Sequence, residues 1–125
     1  MTRVWIAAGL AGLVILLAVT ELRLTWKTSN DIWEILEETE ISAKNSPDKA
    51  GELCGDIEEI WESKKKKLAM FLSHEELESV DISIERLNRL AEVGNFEQFY
   101  IECGTLRKEL EGLKETEYVN LHNLL

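Results

Sequence analysis

From Val4 to Thr20 seventeen consecutive positions carry no charge, whereas beyond them apolar residues return only at every third or fourth position. The first pattern is that of a helix crossing a bilayer and the second that of amphipathic helices hiding one face each. At 1.5 Å per residue the uncharged run is roughly 25 Å long, slightly less than a hydrocarbon core. Trp5 and Trp26 stand about 31 Å apart on such a helix, which places their rings at the two headgroup levels. Arg3 and Lys27 then lie just beyond them, and Arg23 snorkels outward. The competing reading is a secretory leader cleaved after Ala18-Val19-Thr20, but threonine is a poor final residue there and no cysteine follows to accept a lipid. Residues 4–20 are therefore expected to contact membrane lipid. Ala8 and Gly12 have the spacing that lets two membrane helices approach, a route to self-association.

Leu22, Trp26, Ser29, Trp33 and Leu36 continue the three-four alternation, so the first helix is expected to run on to about Lys44, with Thr28 to Asn30 as the place where it would break. Ser46 and Pro47 read as N-cap and first helical position of a second helix reaching about Leu72. Its stripe is Ala50, Leu53, Ile57, Ile60, Lys64, Leu68 and Phe71, with Cys54 and Trp61 beside it. Ser73 and Glu76 form a capping box for a third helix starting near His74, carried by Leu77, Val80, Ile84, Leu87 and Ala91. Gly94 closes it and Asn95 caps a fourth, with Phe96, Phe99, Cys103, Leu106, Leu110 and Leu113 in phase as far as Glu117, Asn120 and Leu124. Short joints force antiparallel neighbours. The expected fold is all-α: a membrane anchor with its cytoplasmic tip over residues 1–21, then an up-down four-helix bundle over residues 22–125. A three-helix bundle on a stalk is the alternative.

In that fold the joint near Ser73 and the C-terminus return to the membrane end. His74 and Glu117 then stand almost opposite, and a carboxylate in phase with an apolar stripe needs a partner, so a structural His74–Glu117 pair is expected. A metal site would use His74, Glu78 and Glu117, but the Glu-x-x-His pair of di-iron bundles is missing, and no metal or cofactor is expected. Lys64, Lys65, Lys66 and Lys67 form the one basic run, near enough to the membrane for lipid headgroups although they point around the whole helix. Cys54 and Cys103 fall on diagonal helices of a square bundle, too far apart to bridge; a three-helix arrangement would bring them together. Trp33 and Trp61 read as core.

From Leu22 onward the chain holds 13 basic and 23 acidic residues, a balance of 13 − 23 = −10. That acidity disfavours nucleic acid, whose phosphates need a basic face. No glycine loop for phosphate, Cys-x-x-Cys or hydrolase-type serine turn is present, and no nucleophile or oxyanion donor accompanies the histidine, so no catalytic residue is assigned.

Trp61 followed by Lys64 to Lys67, the stretch Ser73-His74-Glu75-Glu76, Glu117 and the tail Asn120-Leu121-His122-Asn123-Leu124-Leu125 together resemble the domain of unknown function 4363 family, small single-span proteins of Gram-positive bacteria. The resemblance implies an anchored, extracytoplasmic helical protein and brings no activity. With only three residues before the apolar run, the tip is expected in the cytoplasm and the long remainder outside. The functional expectation is a non-enzymatic protein acting by protein contact there, in envelope assembly or sensing. The rival is a small sensor or binding module holding a metal or ligand near His74 and Glu117.

Overall fold

The computed structural model describes residues 1–124, without the side chains of Asn120, Leu121 and Leu124. It contains four helices, α1 (Thr2–Asn45), α2 (Pro47–Leu68), α3 (His74–Val93) and α4 (Phe96–Leu124). Helix α1 is unbroken over 44 residues, about 66 Å. Thr28 and Ser29 do not interrupt it; both are buried against the other helices. Residues 1–17 are all exposed, and the most apolar part of α1 is long enough to cross a membrane with none of it covered by the rest of the chain.

Beyond that stretch α1 packs on α2 and α4, and α3 on α2 and α4, while the diagonals make no close backbone approach among the described residues. The result is the square, up-down four-helix bundle, and the three-helix alternative is excluded. The first joint is Ser46 alone: its N–H bonds back to Ser42, and Pro47 opens α2 where its missing N–H costs nothing. The Ser46 side chain makes no cap bond. At the third joint Gly94 takes φ 77°, a left-handed conformation in which a side chain would be strained, and Asn95 Oδ1 accepts from the Gln98 N–H.

The second joint differs from expectation. Helix α2 ends at Leu68 rather than Leu72, because the chain tightens there into i→i+3 bonds, Met70 to Lys67 and Phe71 to Leu68. Leu72 nevertheless turns back into the core. The capping box then starts α3: Ser73 Oγ accepts from the Glu76 N–H and Glu76 Oε2 from the Ser73 N–H, each at 3.2 Å.

Two stripes are rotated from the sequence reading. On α2 the buried line is Ala50, Cys54, Ile57, Trp61 and Leu68, with Leu53, Ile60 and Lys64 at its edge, and Phe71, also half-buried, lies in the turn beyond it. On α1 the buried line is Thr25, Thr28, Ser29, Ile32, Leu36, Thr39, Ser42 and Ala43, so Trp26 and Trp33 point sideways toward α4. Only Trp61 is a core tryptophan, its Nε1 donating to Asp81 on α3 at 2.6 Å.

Cys54 and Cys103 are buried and free on the diagonal helices. Burial pushes the Cys54 thiol up to about 12, and Cys103 is raised further by burial and then by the nearby Glu40 and Cys54. Neither is nucleophilic near neutrality. A maleimide reagent at pH 8 should leave the folded protein unlabelled and add two labels once it is denatured without reductant; denatured protein that takes none would reveal a disulfide and a different packing.

Candidate functional site

At the end of the bundle nearest the uncharged half of α1 the interior includes several polar side chains. Thr25, Thr28 and Ser29 line its interior there from α1, and Glu117 does so from α4, 3 % exposed. Oγ1 of Thr25 and of Thr28 and Oε1 of Glu117 are buried without a hydrogen-bond partner among the described residues. The Glu21 carboxylate on α1 lies within hydrogen-bonding reach of Glu117, with Glu76 of α3 also near. Two ionised carboxylates cannot bond, but protonating one closes the pair. Burial first, then the bond to Glu21 and the charges of Glu21 and Glu76, push the Glu117 carboxyl up to about 8.

The expected His74–Glu117 contact is not formed. His74 is the first residue of α3, and its ring stays in solvent 3.9 Å from Glu78, one turn along the same helix. The carboxylates of Glu21 and Glu76 surround Glu117 instead of the imidazole. The metal site imagined around His74, Glu78 and Glu117 therefore has no assembled ligand set, and no group of three or more His, Cys, Asp or Glu side chains is placed to hold a metal among the described residues.

The basic run divides. Lys65 Nζ sits 2.6 Å from Asp81, which also accepts from Trp61, so this lysine and the tryptophan together tie α2 to α3. That bond raises the Lys65 ammonium above its ordinary value. Lys66 and Lys67 are exposed and Lys64 half-buried, and none of these three forms an ion pair among the described residues. Trp5 is largely exposed on the uncovered half of α1.

Trp26 has a second role that its place in the sequence did not show. With Asn30 and Trp33 it forms the α1 wall of an open groove of about 760 Å³, whose α4 wall holds Glu111, Lys114, Glu115 and Tyr118. Lys114 Nζ lies 5.0 Å from the Trp26 ring centroid and 5.8 Å from that of Trp33, and it donates to Asn30 Oδ1. One level higher the Arg107 guanidinium stands 5.7 Å from Trp33 and pairs with Glu40, which holds it above its usual value. Trp33 Nε1 donates to Glu37 at 3.2 Å. The spacing of Trp26, Asn30 and Trp33 was visible in the sequence, but it read as a core stripe; the missed signal was the parallel Thr25, Thr28, Ile32 line, whose smaller side chains let α1 approach its neighbours.

Fold and groove together define a helical bundle carried on a long apolar helix, with an aromatic and acidic surface near the junction. The family model described as Domain of unknown function (DUF4363) matches residues 27–124, and the chain belongs to that family. No curated protein and no solved structure matches it.

Stability should depend on pH through Glu117. Its folded value lies above the ordinary 4.5, so the native state binds more protons than the unfolded chain between 4.5 and about 8. The carboxyl is at no disadvantage below that window, and stability is lost as pH rises through it. Glu117→Gln removes the titration. In urea unfolding of the intact chain in detergent it should match the wild type at pH 4.5 and exceed it by about 1–3 kcal/mol at pH 8.5. A variant less stable at pH 8.5 than the wild type would contradict the assignment.

Proposed function

We propose that this chain is a membrane-anchored, non-enzymatic module that works by contact with another protein at the outer face of the cytoplasmic membrane. The groove between α1 and α4 is the observation that carries the reading. Trp26, Tyr118 and Val119 expose large apolar area there, on a surface otherwise rich in charge. Aromatic side chains left in solvent beside charged ones are the usual anchors of protein contacts. The uncovered apolar half of α1 supports the anchor, residues 4–20 meeting lipid with Trp5 and Trp26 at the two interfaces. A cytoplasmic N-terminus with the bundle outside is the orientation this reading assigns. In that setting Lys64, Lys66 and Lys67 remain open to lipid headgroups, whereas Lys65 is committed to Asp81.

A sensing role has its own support in Glu117, a carboxyl buried in the bundle beside Glu21 and pushed up to about 8. It replaces the metal-holding version, and envelope assembly or sensing are the processes such a module would serve.

Photo-crosslinking side chains installed in intact cells test the reading. Substitution at Glu34 or Glu111, on the groove walls, should give a discrete adduct that the same probe at Glu59 or Arg89, on exposed parts of α2 and α3, does not. Protease added to spheroplasts should remove the bundle. Adducts that are absent at all four positions, or a bundle protected from protease, would contradict the proposal.

A further inference from the structure

The groove is acidic, and its one cation behaves oddly. Glu34, Glu37, Glu111 and Glu115 line it, with Lys114 as its one basic residue among the described lining. Surrounded by carboxylates, Lys114 forms no ion pair with any of them among the described residues. Its ammonium instead lies within cation–π range of both Trp26 and Trp33, held by Asn30. The two indoles thus form a cation-binding wall that the chain fills with its own side chain. With Lys114 swung away, the walls would present the charge of four carboxylates beside an uncovered Trp26 indole and a Trp33 ring that keeps only the Arg107 guanidinium, 5.7 Å away.

We propose that this groove receives a lysine-rich or arginine-rich segment of a partner protein, one of whose cationic side chains displaces Lys114 from Trp26 and Trp33. The inference rests on the protein-contact reading above and names the partner's chemistry. Charge complementarity selects the occupant: carboxylates on both walls match several positive charges and repel the phosphate that accompanies every choline or ethanolamine headgroup. Extent selects a peptide over a small cation. From Trp26 to Glu37 the groove follows α1 for about 16 Å, the span of roughly five extended residues. Lys114 then acts as a placeholder, keeping the indoles covered while the site is empty and setting a threshold that a single stray cation does not cross.

The test uses the full chain in phosphatidylcholine nanodiscs, with fluorescein-labelled hexalysine as probe and hexaglutamate as control, followed by anisotropy. Hexalysine should bind and hexaglutamate should not. Trp33→Leu keeps the apolar bulk and every charge but removes the π face, and should weaken binding about threefold to thirtyfold. Lys114→Ala, which vacates the site, should tighten it by about threefold or more. Thermal melts of each variant separate loss of the site from loss of the fold, and Glu111→Gln with Glu115→Gln gives a second, surface-only route to weaker binding. Trp33→Leu binding as well as the wild type would reduce the effect to bulk acidity and overturn the proposal, as would weaker binding by Lys114→Ala. Binding present in maltoside detergent but abolished in phosphatidylcholine would assign the indoles to lipid headgroups and also overturn it. Crosslinks from the groove do not depend on the partner's charge, so their persistence without hexalysine binding would remove this assignment while leaving the protein-contact reading in place.

Discussion

One unbroken helix carries both an uncovered apolar stretch and a corner of the bundle, and the rest of the molecule is arranged around that continuity. Residues 1–17 are exposed and uncovered by the other described residues, while from Thr25 to Ala43 the same rod forms one corner of the bundle. No glycine, proline or change of backbone conformation separates the two halves. Whatever fixes the direction of the first half therefore fixes that of the second. The bundle is joined to the apolar half of α1 by continuous helix rather than by a linker, and the α1–α4 groove stands at a set height beyond the end of the apolar stretch.

The interior carries polar as well as apolar groups along its length. Far from the junction the core holds Leu87 and Phe99 beside Thr39 and Ser42 of α1, the Thr39 hydroxyl bonded to the Ile35 carbonyl, with the free thiols of Cys54 and Cys103 behaving as small apolar groups. Near the junction α1 offers threonine and serine, and α4 offers a carboxyl. Small hydroxylated side chains let helices approach closely, but hydroxyls buried without partners and a buried carboxyl are each unfavourable. Protonation of Glu117 relieves one of these costs at the end nearest the apolar half of α1. Cross-helix ties compensate on the outside: Arg107 to Glu40 and Lys114 to Asn30 bind α4 to α1, and Asp81 gathers Trp61 and Lys65 between α2 and α3.

Much of this was legible in the sequence, because helix period, caps and short joints are local signals. Gly94, the Ser73–Glu76 box and Pro47 stand where the residues predicted, and the fourth helix's stripe needed no adjustment as far as Glu117, while the side chains of Asn120 and Leu124 lie outside the described ones. What escaped was rotation. A large aromatic at helical spacing weighs heavily in any apolar stripe, so Trp26 and Trp33 drew the reading of α1 toward their own side, and Leu53 and Ile60 did the same on α2. Packing favoured the neighbouring lines, where threonine, serine and cysteine fit between closely spaced rods. The candidate site shifted for a related reason. Chain topology correctly put His74 and Glu117 at one end, yet the first residue of a helix points into solvent as readily as inward. The true neighbour of Glu117 was Glu21, assigned from sequence to the end of the anchor.

A pair of spin labels at positions 3 and 44, in the intact chain reconstituted into nanodiscs, measures the continuity of α1 directly by pulsed dipolar spectroscopy. Forty-one helical residues separate them, so the account predicts a single narrow distance near 60 Å. A broad distribution, or a maximum well below that length, would show a hinge between the apolar half and the bundle and would contradict it.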